Sequence, residues 1–207
     1  MSNFTKPSLI LQYCEGPYQW AGIELGKTTK EETKNILLNL DIVNEDTLHE
    51  GSRFSNIDIA LFIDFIEGYR EESLSVWFID EKAQFIEFFG NQLTLEEIQK
   101  DLGNLEKIAV YMEHYETIIV RYEGFSLQSG YIITGAPEGL WFNIDEDLKV
   151  VNIDKDSTFT VYLTHPGFFD EYYVEGSDFW NYFFEEDGFQ DWHGYGEYEV
   201  QRPDFLN

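Results

Sequence analysis

Positive charge is what this chain has least of. Thirteen Lys and Arg stand against 40 Asp and Glu, a formal net charge of −27 at pH 7 over 207 residues. A field of that sign repels nucleic acid and anionic membrane surfaces, so direct binding to either is not expected. It favours a basic protein or a cation as partner, or serves solubility alone. Cysteine is nearly missing too. Cys14 stands alone, so no intramolecular disulfide can form, and it reads as a small packing residue. A chain not built on disulfides points to a reducing compartment, and a cytoplasmic protein is expected. Long apolar runs are also lacking: no stretch reaches the roughly 18 residues of a membrane-spanning helix. Leu9-Ile10-Leu11 is too short for a signal-peptide core, and Gln12-Tyr13 before Cys14 is a poor lipoprotein cleavage site. The same residues are compatible with a leader already removed.

Familiar chemical signatures are missing as well. There is no G-x-G-x-x-G, no Walker-type G-x-x-x-x-G-K-[ST] run and no G-x-S-x-G elbow. His49, His114, His165 and His193 are scattered, with no His-x-x-x-His pair, and a single cysteine argues against structural zinc. Nothing in the spacing gives Cys14 a histidine partner for thiol chemistry. Carboxylates are so numerous that no catalytic pair stands out. Asp154-Lys155-Asp156-Ser157-Thr158 copies the first ligand positions of a calcium loop. Phe159 then replaces the needed glycine, and His165 stands where a bidentate Glu belongs. No catalytic residue, cofactor or metal ligand is predicted.

What is present is apolar material and a repeat. Hydrophobic residues are 43% of the chain and aromatics 17%, enough to build a core in spite of the charge. Thr29, Glu31, Glu32, Leu37, Asn39, Leu40 and Val43 reappear about 65 residues later as Thr94, Glu96, Glu97, Leu102, Asn104, Leu105 and Ile108. Val76-Trp77-Phe78-Ile79-Asp80-Glu81 is answered by Leu140-Trp141-Phe142-Asn143-Ile144-Asp145-Glu146. Two blocks in one order at nearly one separation indicate a duplicated unit.

Local patterns give each unit its content. Residues 1–26 read as an N-terminal arm in which Trp20, Ile23 and Leu25 dock on a core. Thr29 three residues before Glu32 is a capping box, and the helix it opens should run from 29 to about 40 with Ile36, Leu37 and Leu40 inward. A polar loop follows. Ile57, Ile59, Leu61, Ile63 and Phe65 alternate as in a strand. A turn is expected at 68–72, then strands at 74–79 and 83–89 joined by Asp80-Glu81-Lys82. Thr94 with Glu97 opens a second helix, and Gly103 fits its C-terminal end. Strands follow at 107–112, 115–122, 128–134, 139–144, 148–153 and 158–164, with Asp145-Glu146-Asp147 as the counterpart of the first hairpin turn. The expected fold is α+β: two tandem units, 27–90 and 91–164, each a capped helix packed on an antiparallel β-meander. Residues 165–207 form an acidic, aromatic C-terminal segment, which either packs on the repeats or presents a contact surface.

Gly22-Ile23-Glu24-Leu25-Gly26-Lys27-Thr28-Thr29-Lys30-Glu31-Glu32 resembles the GI-x-x-G-x-T-x-x-E opening of small bacterial domains. These are outer-membrane assembly lipoproteins of the SmpA/OmlA type and the tandem-repeat β-lactamase inhibitory proteins. The resemblance spans residues 20–155 and implies a capped helix followed by an antiparallel sheet, twice over, working by contact without a catalytic residue. The second unit departs from it, reading Gly90-Asn91-Gln92-Leu93-Thr94, and the C-terminal segment has no counterpart.

The leading expectation is therefore a non-catalytic protein-binding module, inhibitor- or immunity-like, that grips a basic protein. Trp77, Trp141, Trp180, Trp192 and Tyr195 are the predicted contacts, with Asp178, Glu185, Glu186, Asp187 and Asp191 as steering charges. The alternatives are an acidic mimic of nucleic acid that blocks a DNA- or RNA-binding protein, a carboxylate-based hydrolase, and an accessory domain of an envelope assembly.

Overall fold

The computed structural model describes residues 6–16, 18–51, 60–90, 93–102, 107–113, 117–122, 131–134, 150–165 and 190–200. The chain divides into two compact units. Met1–Asn91, Gln128–Gly130 and Val161–Phe168 make up the first; Gln92–Leu127, Tyr131–Thr160 and Phe169–Asn207 make up the second. The architecture is α+β, with short helices and antiparallel strands.

In the first unit, the N-terminal arm folds into α1 (Leu9–Tyr13), β1 (Cys14–Gly16), β2 (Gln19–Trp20) and β3 (Ile23–Glu24). Trp20 and Ile23 are fully buried and Leu25 nearly so, as their apolar character predicts. The Trp20 indole N–H donates to the Leu9 carbonyl at 3.0 Å, and its ring meets Phe88 edge-on at 5.3 Å. Gly26 then adopts φ +80° against His165; a Cβ there would lie 2.6 Å from the imidazole, so only glycine fits.

Helix α2 (Lys30–Leu38) starts at the predicted place. The Glu32 carboxylate accepts from the Thr29 amide at 2.9 Å and the Thr29 hydroxyl accepts from the Glu32 amide at 3.3 Å. The Glu32 carboxyl is held below its ordinary value, first by the Thr29 backbone N–H and then by the Thr29 hydroxyl, which donates to the same carboxylate at 2.8 Å. Leu37 and Thr33 form the buried face; Ile36 and Leu40 are only half-buried.

The stretch read as a polar loop is in part a strand, β4 (Val43–Gly51). An edge strand needs only one partner and little apolar surface, so its exposed Glu45, Asp46, His49 and Glu50 disguise it. A wide irregularity between Asn44 and His49 interrupts its pairing. There the Thr47 hydroxyl donates to the Asn44 carbonyl at 2.7 Å and accepts from the Asp64 amide at 2.8 Å. β5 (Ala60–Phe65), β6 (Ser73–Ile79) and β7 (Lys82–Phe89) continue the antiparallel meander. Residues 162–164, expected at the end of the second unit, pair with Phe85–Glu87 as a further strand of the first. Register aligns Leu61, Val76, Ile86 and Leu163 on one face, all at 1% exposure or less. This row is the centre of the core.

In the second unit, β8 (Leu93–Thr94) leads into α3 (Leu95–Leu102) through the same cap. Glu97 accepts from the Thr94 amide at 2.9 Å, and the Thr94 hydroxyl accepts from the Glu97 amide at 3.3 Å. Leu95 and Ile98 are its buried face. β9 (Lys107–Glu113), β10 (Thr117–Tyr122) and β11 (Tyr131–Thr134) form an antiparallel meander. β12 (Val150–Ile153) and the start of β13 (Thr158–Thr164) follow, β13 passing after Thr160 into the first unit, and then β14 (Gln190–Asp191) and β15 (Gly196–Glu199) complete the second.

Each helix start is docked on a strand start in the same way. Thr29 bridges Lys82 while the Lys30 amide donates to Glu81. Thr94 pairs with Thr158 while the Leu95 amide donates to Ser157. The turn that precedes Thr158 is Asp154–Ser157; residues 145–147, expected as the counterpart of the first hairpin turn, lie outside the described residues, as do Gly103 and the strand expected at 139–144.

Candidate functional site

Trp192, Tyr195 and Asp191 come together in the second unit. β14 pairs with β9 at Gln190 and Asp191, and β15 pairs with β12 from Gly196 to Glu199. The Gln190 amide group locks the segment between them: it donates to the Glu199 carbonyl at 2.7 Å and accepts from the Glu199 amide at 3.1 Å. Strand alternation then sorts the side chains. Val151, Ile153 and Tyr198 are buried, while Val150, Asn152, Glu197 and Glu199 face water.

Tyr198 is the pivot. Its ring stacks with Trp192 (5.4 Å between centroids, 5° between planes) and with His193 (4.3 Å, 7°). Its hydroxyl donates to the Gly194 carbonyl at 2.7 Å and accepts from the His193 amide at 3.2 Å. Burial pushes the phenol pKa up, and the His193 amide bond opposes that rise. Gly194 and Gly196, at φ +97° and +148°, turn the chain on either side of Tyr195.

Tyr195 is lifted into solvent by that turn and is 45% exposed. It is nonetheless held: its hydroxyl donates to Gln99 Oε1 at 2.8 Å, and its ring stands at 89° to Trp192 with 5.8 Å between centroids. Its pKa is raised, first by burial and then by the Glu96 carboxylate; Asp156 adds to the rise and Lys155 opposes it. Lys155 is paired with Asp156 at 2.8 Å, and that bond raises the lysine pKa. Exposed Asp191, Glu197 and Glu199 share the segment. The result is a fixed pair of perpendicular rings in a carboxylate-rich surround.

The other predicted contacts are placed differently. Trp77 is only 4% exposed; its N–H donates to the Ser75 hydroxyl at 2.8 Å, and its ring meets Phe62 edge-on at 6.2 Å. The Trp77 indole is a packing residue, and so is Phe78 at 2% exposure. Adjacent strand residues point to opposite faces, and both are buried here because both faces of β6 are covered. Trp141, Trp180, Asp178, Glu185, Glu186 and Asp187 lie outside the described residues. Sequence reasoning passed over Gln99, Gln190, His193 and Tyr198. Only Tyr198 left a signal, through its alternation with Glu197 and Glu199.

The calcium-like stretch is a self-satisfied turn. Asp154 Oδ1 accepts from the Asp156 amide at 2.9 Å and from the Ser157 hydroxyl at 3.3 Å. No group of three metal-ligating side chains occurs among the described residues. In the first unit, Gly22, Lys27, Thr28, Glu32, Asn35 and Ile36 line an open groove of about 520 Å³. Its carboxylate, Glu32, is already engaged as the cap of α2. Among the described residues no helix is long and apolar enough to cross a membrane. Comparison of the chain with family models, curated proteins and solved structures gives no match.

Proposed function

We propose that this chain is a protein-binding module, inhibitor- or immunity-like, which holds a basic protein through the acidic, aromatic surface around Tyr195. The observation that supports the reading is that Tyr195 is exposed and yet already ordered, by Gln99 and by Trp192. An aromatic side chain fixed before contact loses little freedom on binding, and Tyr and Trp are the usual anchors of interfaces. Carboxylates around such an anchor speed encounter with a basic surface and reject acidic ones. The two matched capping boxes and their matched docking on a strand start support tandem copies of one helix-plus-sheet unit as the scaffold.

The test is capture of proteins from the source-cell lysate on the immobilised full chain, at low and high salt. A basic protein retained by the wild type, weakened by salt and lost with Tyr195→Ala, is the expected outcome. Retention indifferent to Tyr195→Ala, of a nucleic-acid-binding protein released steeply by salt, would favour the mimic reading, because −27 charges then act without the aromatic anchor.

A further inference from the structure

Resting on that binding reading, we infer that the corner formed by Trp192 and Tyr195 is a receptor for a single cationic head, the ammonium or guanidinium of one basic side chain of the partner. Three observations carry it. First, the rings are two walls at right angles, meeting edge to face at 89° with 5.8 Å between centroids, and Tyr195 is 45% exposed to solvent. The face of an aromatic ring carries partial negative charge and attracts a cation seated against it. Second, the walls are set in advance: Trp192 is stacked on Tyr198, and Tyr195 is anchored on Gln99. The rings do not have to be ordered by the ligand. Third, the surrounding charge selects its sign. Glu96 and Asp156 act on Tyr195 directly, and Asp191 and Glu197 flank the loop in water. An anion would be repelled there and a neutral head would gain nothing from the field.

The nearby Lys155 does not itself meet the need. Its ammonium is engaged with Asp156, and it opposes positive charge at Tyr195. It should therefore act as a resident competitor, whose removal leaves the corner more attractive to an incoming cation.

The experiment uses the full chain carrying fluorine-labelled tryptophan, with the Trp192 resonance assigned by its loss in Trp192→Phe. N-acetylarginine methylamide, N-acetyllysine methylamide and the neutral N-acetylcitrulline methylamide are the probes. We expect a saturable shift of the Trp192 signal with one or both cations, at affinity at least about threefold above that of the citrulline probe. Tyr195→Leu, which keeps apolar area and removes the ring, should weaken the cations by about threefold and leave the other tryptophan signals in place. Lys155→Met should strengthen them. Equal binding of the citrulline probe, or a Trp192 signal that ignores both cations, overturns the inference. If that happens while a basic protein is still captured in a Tyr195-dependent way, the binding reading stands and only the cation corner falls. If the cations bind and no protein is captured, the reverse holds.

Discussion

The Ser8 hydroxyl donates to the Glu71 carboxylate at 2.6 Å across 63 residues of chain. Glu71 also accepts from the amides of Leu9 at 2.8 Å and Ile10 at 3.4 Å, and it is 2% exposed. Arg70 reinforces the tie by donating through Nε to the Lys6 carbonyl at 3.0 Å. The N-terminal arm is thus fastened to the turn after β5 by one buried side chain. Removing the acceptor strands three donors. Glu71→Ala should cost about 2–4 kcal/mol in denaturant unfolding. Glu71→Gln keeps one acceptor oxygen and should cost less. Faster amide exchange at Leu9 and Ile10 would show that the arm is what loosens.

Thr29 and Thr94 make equivalent caps, so Thr29→Ala and Thr94→Ala should each cost about 1 kcal/mol of stability by denaturant titration. A large inequality would separate the two helix starts. The first cap has a pH signature as well. Because the folded-state pKa of Glu32 is lowered, its contribution is present above the unfolded value and disappears as pH falls through the folded one. Acid titration of Glu32→Gln should lack that component.

The Asp80-Glu81 turn holds two non-glycine residues at φ +48° and +63° between β6 and β7. Paired positive φ values belong to a hairpin turn that Asn-Gly suits best. Replacing Asp80 by Asn and Glu81 by Gly should raise stability by about 0.5–1 kcal/mol, since left-handed strain is relieved and only part of that gain is lost to glycine's freedom when unfolded. The Glu81 carbonyl that accepts from the Lys30 amide at 2.9 Å is retained. Thermal unfolding of the double variant checks it.

Tyr198→Phe deletes a hydroxyl with two partners and should cost about 1–2 kcal/mol. It should also weaken any contact made through Trp192 and Tyr195, although Tyr198 itself is buried. With its folded pKa raised, Tyr198 stabilises the fold fully below its unfolded pKa, and that stability is lost as pH rises through the folded value. An alkaline unfolding limb that moves in Tyr198→Phe would confirm the sign.

Asp191→Asn with Glu197→Gln should slow association with a basic partner and flatten its dependence on salt, leaving dissociation nearly unchanged, because rim charges act mainly on encounter. Stopped-flow mixing over a salt series separates the two rates.

Much of the local structure was legible because it depends on near neighbours. Thr29 with Glu32 and Thr94 with Glu97 are three-residue devices, and each does what its spacing predicts. The alternation of Leu61, Ile63 and Phe65 is a property of one strand, and the structure buries all three. β4 escaped notice because an exposed edge strand looks polar, its only requirement being a partner that lies beyond the window of local pattern.

Charge sign, the lack of a disulfide framework and the two capped helices were therefore determined by sequence alone, since each follows from composition or from residues a few positions apart. Which aromatics pack and which meet solvent was decided only by tertiary structure. Trp77 packs against Phe62 of the neighbouring strand, 15 residues before it, and Tyr195 is held out in water by Gln99, 96 residues before it. Burial is a property of partners that the chain brings together from far apart, and no period of the sequence encodes those distances.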